Sequence, residues 1–207
     1  ILMCSLYDAQ REQYEHLRDY YRKEFSATSG TSTVNMLAAL LRLRQAACHP
    51  ALVNESFSET ESAKVTLLHS MLEELIQSGH KALVFSQFTA FLNLIEKDLD
   101  DAGWNYCHLD GETKNRGEVV KEFQDNPDKK VFLISLKAGG VGLNLTAADY
   151  VFIMDPWWNP AAEAQAVDRT YRIGQQRPVF AYRIIAEGTV EEKVLQMQTQ
   201  KRRIANT

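Results

Sequence analysis

From Ala82 onward, short apolar runs alternate with amphipathic stretches, and this pattern constrains the fold more than any other feature of the chain. Ala82-Leu-Val-Phe85, Val131-Phe-Leu-Ile134 and Tyr150-Val-Phe-Ile153 are apolar throughout and bounded by polar residues. A run that short without alternation suits a strand buried on both faces, as in a parallel sheet. Weaker strand signals lie at Asn105–His108 and Val179–Ile185. Between them the spacing predicts helices over about 90–101, 113–124, 161–171 and 190–203. The result is an α/β domain with a mainly parallel sheet. Three further helices precede it. Asp8–Phe25 carries Tyr14, Leu17, Tyr21 and Phe25 on one stripe, expected to pack against a core. Thr33–Cys48 is stopped by Pro50, and Ala63–Gln77 follows a polar stretch, 54–62.

In a parallel sheet, ligands gather at the loops beyond the strand C-termini. The candidate loops are Ser86-Gln87, Asp110-Gly111, Ser135–Asn144 and Asp155–Pro160. Ser135-Leu-Lys-Ala-Gly-Gly-Val-Gly-Leu-Asn144 has glycines at 139, 140 and 142, which permit positive φ and let backbone amides approach a phosphate. Lys137 and Ser135 would add a charge and a hydroxyl. The loop matches neither G-x4-G-K-[ST] nor G-x-G-x-x-G, so a phosphate cradle and a plain tight turn both remain open. Gln165-Ala-Val-Asp-Arg169-Thr-Tyr-Arg172-Ile-Gly-Gln175 is more informative. On a helix, Gln165, Arg169 and Arg172 share one face. Two guanidiniums and an amide so placed can clamp a phosphate chain. No acid follows Asp168 until Glu187, which leaves that positive charge unpaired in sequence.

Composition removes several function classes. Hydrophobic residues make up 45% of the 207 and charged residues 24%, an ordinary globular balance. No apolar run approaches the roughly 20 residues of a helical membrane span, and no membrane partner is expected. The opening Ile-Leu-Met-Cys lacks the features of a secretory signal, and the chain reads as a piece of a larger protein. Cys4, Cys48 and Cys107 form no CxxC, which points to a reducing intracellular setting. Cys48-His49 and Cys107-His108 are adjacent pairs that would rarely point at one ion, so no metal site is expected within the chain. A net charge of −4 does not suit an autonomous nucleic-acid binder. The charge is segregated, however: nine acids and three bases lie between Glu55 and Asp101, and four arginines without an acid between Arg169 and Arg183.

Taken together, Lys81–Lys193 closely resembles the second RecA-like lobe of Swi/Snf-type DNA translocases, in helicase superfamily two. Lys81-Ala-Leu-Val-Phe-Ser-Gln-Phe88 resembles motif IV. Leu109-Asp-Gly-Glu-Thr113 with Arg116 resembles the next signature loop, and Leu133–Leu145 resembles motif V. Asp155-Pro-Trp-Trp-Asn-Pro-Ala161 and Gln165–Gln175 resemble the stretch into and through motif VI. Upstream, Leu43–Pro50 is similar to the segment before this lobe, and Thr189-Val-Glu-Glu-Lys193 to the brace after it. The chain departs from the pattern at Tyr171, where the family usually has His; tuning rather than loss is expected there.

The resemblance implies a RecA-like three-layer domain preceded by a helical segment. Its divisions would be a helical lead-in over 1–62, the lobe proper over 63–188 and a C-terminal helix or brace over 189–207. It implies ATP as the cofactor, bound between this lobe and the N-terminal RecA-like lobe of the same protein. That lobe would hold Mg2+ and carry the Walker A lysine. No Gly-Lys or Asp-Glu dipeptide occurs here, so the chain is expected to be half an active site and inactive alone. Arg169 and Arg172 would act as arginine fingers, with Gln165 orienting them. Gly140, Gly142 and Asn144 would lie against the nucleotide. Ser86, Gln87, Arg116, Ser135 and Lys137 would contact the backbone of double-stranded DNA, with little sequence readout. The assembly would move along duplex DNA without ordinary strand separation and act on protein complexes bound to it. Two other classes stand beside this reading: a non-catalytic DNA- or protein-docking module derived from such a lobe, and a free-standing Rossmann-like enzyme. The latter needs a glycine loop after the first strand, which Phe85-Ser-Gln-Phe88 does not supply. Trp157 and Trp158 read as packing anchors, and Arg116 has Glu112 as a rival partner. The compact motif spacing favours a prokaryotic cytoplasm or nucleoid; a eukaryotic parent would place the protein in the nucleus.

Overall fold

A computed structural model describes residues 1–136, 143–168 and 177–206. Six strands form one sheet, all parallel: β1 (Leu2–Cys4), β2 (Ala82–Ser86), β3 (Tyr106–Leu109), β4 (Val131–Ser135), β5 (Tyr150–Ile153) and β6 (Phe180–Ala186). Their order across the sheet is β1-β6-β5-β2-β4-β3. The helices are α1 (Asp8–Ala27), α2 (Thr33–Cys48), α3 (Ala63–Gln77), α4 (Thr89–Ala102), α5 (Arg116–Asp125), α6 (Pro160–Asp168) and α7 (Val190–Ala205), with short 3-10 turns at Pro50–Leu52 and Glu55–Phe57.

The five strands anticipated from apolar runs are all present. Their side chains alternate between two cores, which makes the domain three-layered. Leu83, Phe85, Phe132 and Ile134 point to one face and pack with Phe123 of α5. Ala82, Val84, Val131 and Leu133 point to the other and meet Leu68 and Leu72 of α3 and Leu92, Ile95 and Leu99 of α4. This is the RecA-like arrangement expected. A third, smaller cluster, including Leu6, Tyr14, Ala46, Ala47 and Ala186, fastens α1 and α2 to the sheet edge. No helix of the described residues is long and apolar enough to cross a membrane.

Local chemistry sets the element ends. Ser32, Ser62 and Thr189 cap α2, α3 and α7 with their side-chain oxygens. Gly103 ends α4 in the left-handed region at φ 74°, with the Trp104 N–H returning to Leu99 O at 3.0 Å.

Two differences from the sequence reading stand out. Strand β1 was not anticipated: Leu2, Met3 and Cys4 pair with Ile184, Ile185 and Ala186, so the segment before the helices belongs to the sheet. Helix α5 begins at Arg116 rather than near Thr113, because a side-chain-closed turn occupies the intervening residues.

Candidate functional site at the C-terminal edge of the sheet

Parallel pairing brings the ends of β2, β4 and β5 side by side. Ser86 is in register with Ser135, and Phe85 with both Ile134 and Ile153. Asp155, just beyond β5, organises this edge. Its carboxylate accepts the Ser86 hydroxyl at 2.6 Å and the Gln87 N–H at 3.3 and 3.2 Å. Burial raises its pKa, while the Ser86 hydrogen bond and the nearby Lys64 charge pull it back. Ser86 also accepts the Phe88 N–H at 3.0 Å, and Gln87 Nε2 donates to Pro156 O at 3.3 Å.

Ser86 and Ser135 are 0% and 2% exposed. Neither hydroxyl therefore stands at a surface of the lobe, and the Ser86 hydroxyl is held by Asp155. At the end of β2, Gln87 is half-buried.

The turn after β3 is closed by Asp110. Its Oδ1 accepts the Glu112 N–H at 2.9 Å, and its own N–H donates to Thr113 Oγ1 at 3.0 Å. Asp110 Oδ2 also meets His108 Nε2 at 2.9 Å. Burial works to raise the Asp110 pKa, but these hydrogen bonds outweigh it and the net shift is downward. Arg116 opens α5 directly after this turn and donates from Nε to Thr113 O at 3.4 Å. It makes no ion pair with Glu112 among the described residues, so the rival local pairing is not formed.

Helix α6 carries Gln165 on an exposed face and is anchored by Glu163, which is buried. Glu163 Oε1 accepts the Trp157 N–H at 3.3 Å, and Oε2 accepts Gln198 Nε2 at 3.1 Å. Arg183 of β6 and Arg202 of α7 approach Oε2 at 3.6 and 3.9 Å. Burial raises the Glu163 pKa against those two charges. Arg177 similarly lies 3.8 Å from Asp149. Two of the four arginines that appear unpaired along the sequence thus have acidic partners brought in by the fold.

Behind this edge lie groups that were not singled out individually, although Arg44 and Glu191 fall within the Leu43–Pro50 and Thr189–Lys193 segments. Arg44 of α2 is buried between the rings of Phe88 and Trp158, at 5.8 and 5.5 Å from their centroids, and donates to Pro156 O at 3.0 Å. Trp157 is buried within the core. Lys64 and Glu191 form a fully buried pair at 2.7 Å. Lys64 also donates to Met154 O, and Glu191 Oε1 accepts the Ala186 N–H at 2.8 Å. Burial works to lower the Lys64 pKa, but Cys48 and Glu191 overcome it and raise it. Cys48 has its Sγ 3.9 Å from Lys64 Nζ, and burial pushes its thiol well up. Among the described residues no group of three or more His, Cys, Asp or Glu is placed to hold a metal ion. Arg44 falls within the family-like segment Leu43–Pro50, whereas the only sequence signal for Lys64 was a charge between the apolar Ala63 and Val65.

Asn144 is exposed just beyond the glycine loop. Lys137, Gly140, Gly142, Arg169 and Arg172 lie outside the described residues. What can be placed, namely Gln87, Arg116, Asn144 and Gln165, belongs to segments that follow the C-terminal ends of the parallel strands.

Residues 63–174 match the family described as the helicase conserved C-terminal domain. The chain belongs to that family. The lobe aligns with the Sulfolobus solfataricus SWI2/SNF2 ATPase C-terminal domain at TM-score 0.81 and 30% identity, covering 97% of this chain and 84% of that one. The SWI2/SNF2 ATPase core in complex with dsDNA, from the same organism, aligns at TM-score 0.82 and 32% identity over 98% of this chain and 43% of that one. Among sequences, DNA repair protein RAD5B of Arabidopsis thaliana is 51% identical over 148 residues, 70% of this chain. The chromatin-remodeling ATPase INO80 of Aspergillus clavatus is 44% identical over 147 residues, also 70%. The lobe spans only 12% and 9% of the length of these two relatives. It is a C-terminal RecA-like lobe of the Swi/Snf type.

Proposed function

We propose that this lobe is the C-terminal half of an ATP-driven translocase on double-stranded DNA. The observation that carries the reading is the coincidence of the family match, residues 63–174, with the sheet edge where Gln87, Arg116, Asn144 and Gln165 stand. Arg169 and Arg172, continuing the sequence beyond α6, neutralise charge that builds on the terminal phosphate, and Gln165 orients them. Gly140, Gly142 and Asn144 border the nucleotide. The exposed Gln165 and Asn144 leave room for such a group at this edge. Mg2+ is held mainly by the partner RecA-like lobe of the same protein. Gln87, Arg116 and Lys137 contact DNA phosphates, with Ser86 and Ser135 shaping the strand ends beneath them. Residues 189–207 serve as the brace.

Duplex DNA as the partner is supported by the named complex of the Sulfolobus solfataricus core with dsDNA. The DNA repair and chromatin-remodeling names of the plant and fungal relatives support action on DNA-bound complexes and a nuclear setting, and they weigh against the prokaryotic preference drawn from motif spacing.

The test is ATP hydrolysis with and without duplex DNA, by this chain alone and by the chain joined to its native upstream sequence. Hydrolysis is expected only in the joined protein, stimulated by DNA and reduced about 10³- to 10⁵-fold by Arg172→Ala, the scale of an arginine finger. A folded joined protein without DNA-stimulated hydrolysis would instead support the docking-module reading.

A further inference from the structure

The helical part of the chain holds an apolar groove to which the motor reading assigns no ligand. It lies between α1, α2 and the start of α7 and has a volume of about 470 Å³, within the range of roughly 300–1,000 Å³ of sites that bury a ligand. Tyr21 and Phe25 from α1 and Met36, Leu40 and Leu43 from α2 line it. Among the described residues no strand edge borders it, so an extended peptide would find no backbone ladder to join. Its walls are three helices, and a fourth helix is the element that packs into such a space.

The rim has a sign. Among the described residues, Arg18, Arg22 and Lys193 border the groove, against the single acid Glu192. Glu192 is already engaged, its Oε1 accepting the Gly188 N–H at 2.9 Å. Arg18 and Arg22 share one carboxylate, Asp19, at 3.3 and 4.0 Å. Lys193 has no ion pair among the described residues. The rim is therefore short of negative charge, in a chain whose net charge is −4.

We propose that this groove docks an amphipathic helix of a partner protein, with apolar residues at i, i+3 and i+7 entering between α1 and α2 and acidic side chains facing Arg18, Arg22 and Lys193. Duplex DNA satisfies the rim but leaves the aromatic and aliphatic floor uncovered, so a peptide is the better fit. The inference uses none of the residues at the strand ends and shares only the start of α7 with the proposed brace.

The experiment is an NMR titration of the isotope-labelled chain with three synthetic peptides of about 18 residues. One carries a leucine stripe flanked by glutamates, the second replaces glutamate with lysine, and the third scrambles the stripe. Saturable shifts confined to α1, α2 and the start of α7 are expected with the acidic peptide, and binding at least about tenfold weaker with the other two. Leu40→Glu should abolish the interaction. Lys193→Glu, an exposed change that spares the core, should weaken the acidic peptide and strengthen the basic one. Absence of saturable shifts, equal binding of the scrambled peptide, or the same shifts produced by a DNA duplex instead would overturn the proposal.

Discussion

Lys64 and Glu191 lie 127 residues apart in sequence and meet at 2.7 Å, both fully buried. Removing one partner of such a pair strands the other charge away from water, which typically costs about 3–5 kcal/mol. Lys64→Met should show a loss of that order in urea denaturation, and the double variant Lys64→Met/Glu191→Leu should recover much of it. His49 gives a pH prediction. Its Nδ1 accepts the Ala51 N–H at 3.0 Å, and burial lowers its pKa to about 4 from 6.5. With the folded value depressed, its contribution to stability is complete above pH 6.5 and is lost as pH falls towards 4. The lost amount should be about 2 kcal/mol once partial solvation of the ring is allowed for. Thermal melts between pH 7.5 and 4.5 should show this slope, and His49→Asn, which keeps an acceptor without titrating, should flatten it.

At the scale of elements, Gly103 is where a side chain would be felt. It sits at φ 74° with nothing within 4 Å of an added Cβ, so Gly103→Ala should cost about 1 kcal/mol from backbone strain alone, read as a lower melting temperature. The central strands were legible because burial on both faces leaves a continuous apolar run. Strand β1 was not legible. Leu2–Cys4 is three residues at a sheet edge, and its identity as a strand depends on β6, about 180 residues later. The start of α5 was misplaced for a related reason: Glu112 and Thr113 suit a helix, but Asp110 captures their backbone and hydroxyl groups first. The site shows the same division. Gln87, Arg116 and Gln165 stand out through the family-like motifs they belong to, and the fold places them beyond the strand ends. Lys64 and Glu163 could not, because their partners come from distant strands and helices, and the contacts of Arg44, within Leu43–Pro50, emerge only when α2 packs behind the strand ends. Glu163 fastens α6 to β6 and α7 while Gln165, two residues on, faces outward. In the joined protein, Glu163→Gln should lower kcat for ATP by about tenfold with little change in KM, as expected when a reacting group is displaced rather than removed.

At the scale of the whole molecule, α1, α2 and α7 pack together at the β1–β6 side of the sheet. Strand β1 ties that corner together. This strand runs parallel to β6 in register from Leu2↔Ile184 to Cys4↔Ala186, and the Glu187 N–H closes onto Cys4 O at 2.8 Å. Arg11 and Ser5 tie the same corner, donating to Glu187 O at 2.7 Å and to the Glu187 carboxylate at 2.9 Å. Parallel neighbours have a mechanical property that antiparallel hairpins lack. Tension applied ahead of β1 and beyond β6 pulls the two strands lengthwise past one another, so the bonds of the ladder share the load instead of opening one after another. The corner resists as a lap joint rather than a zipper, and traction passing through this part of the chain meets its stiffest direction.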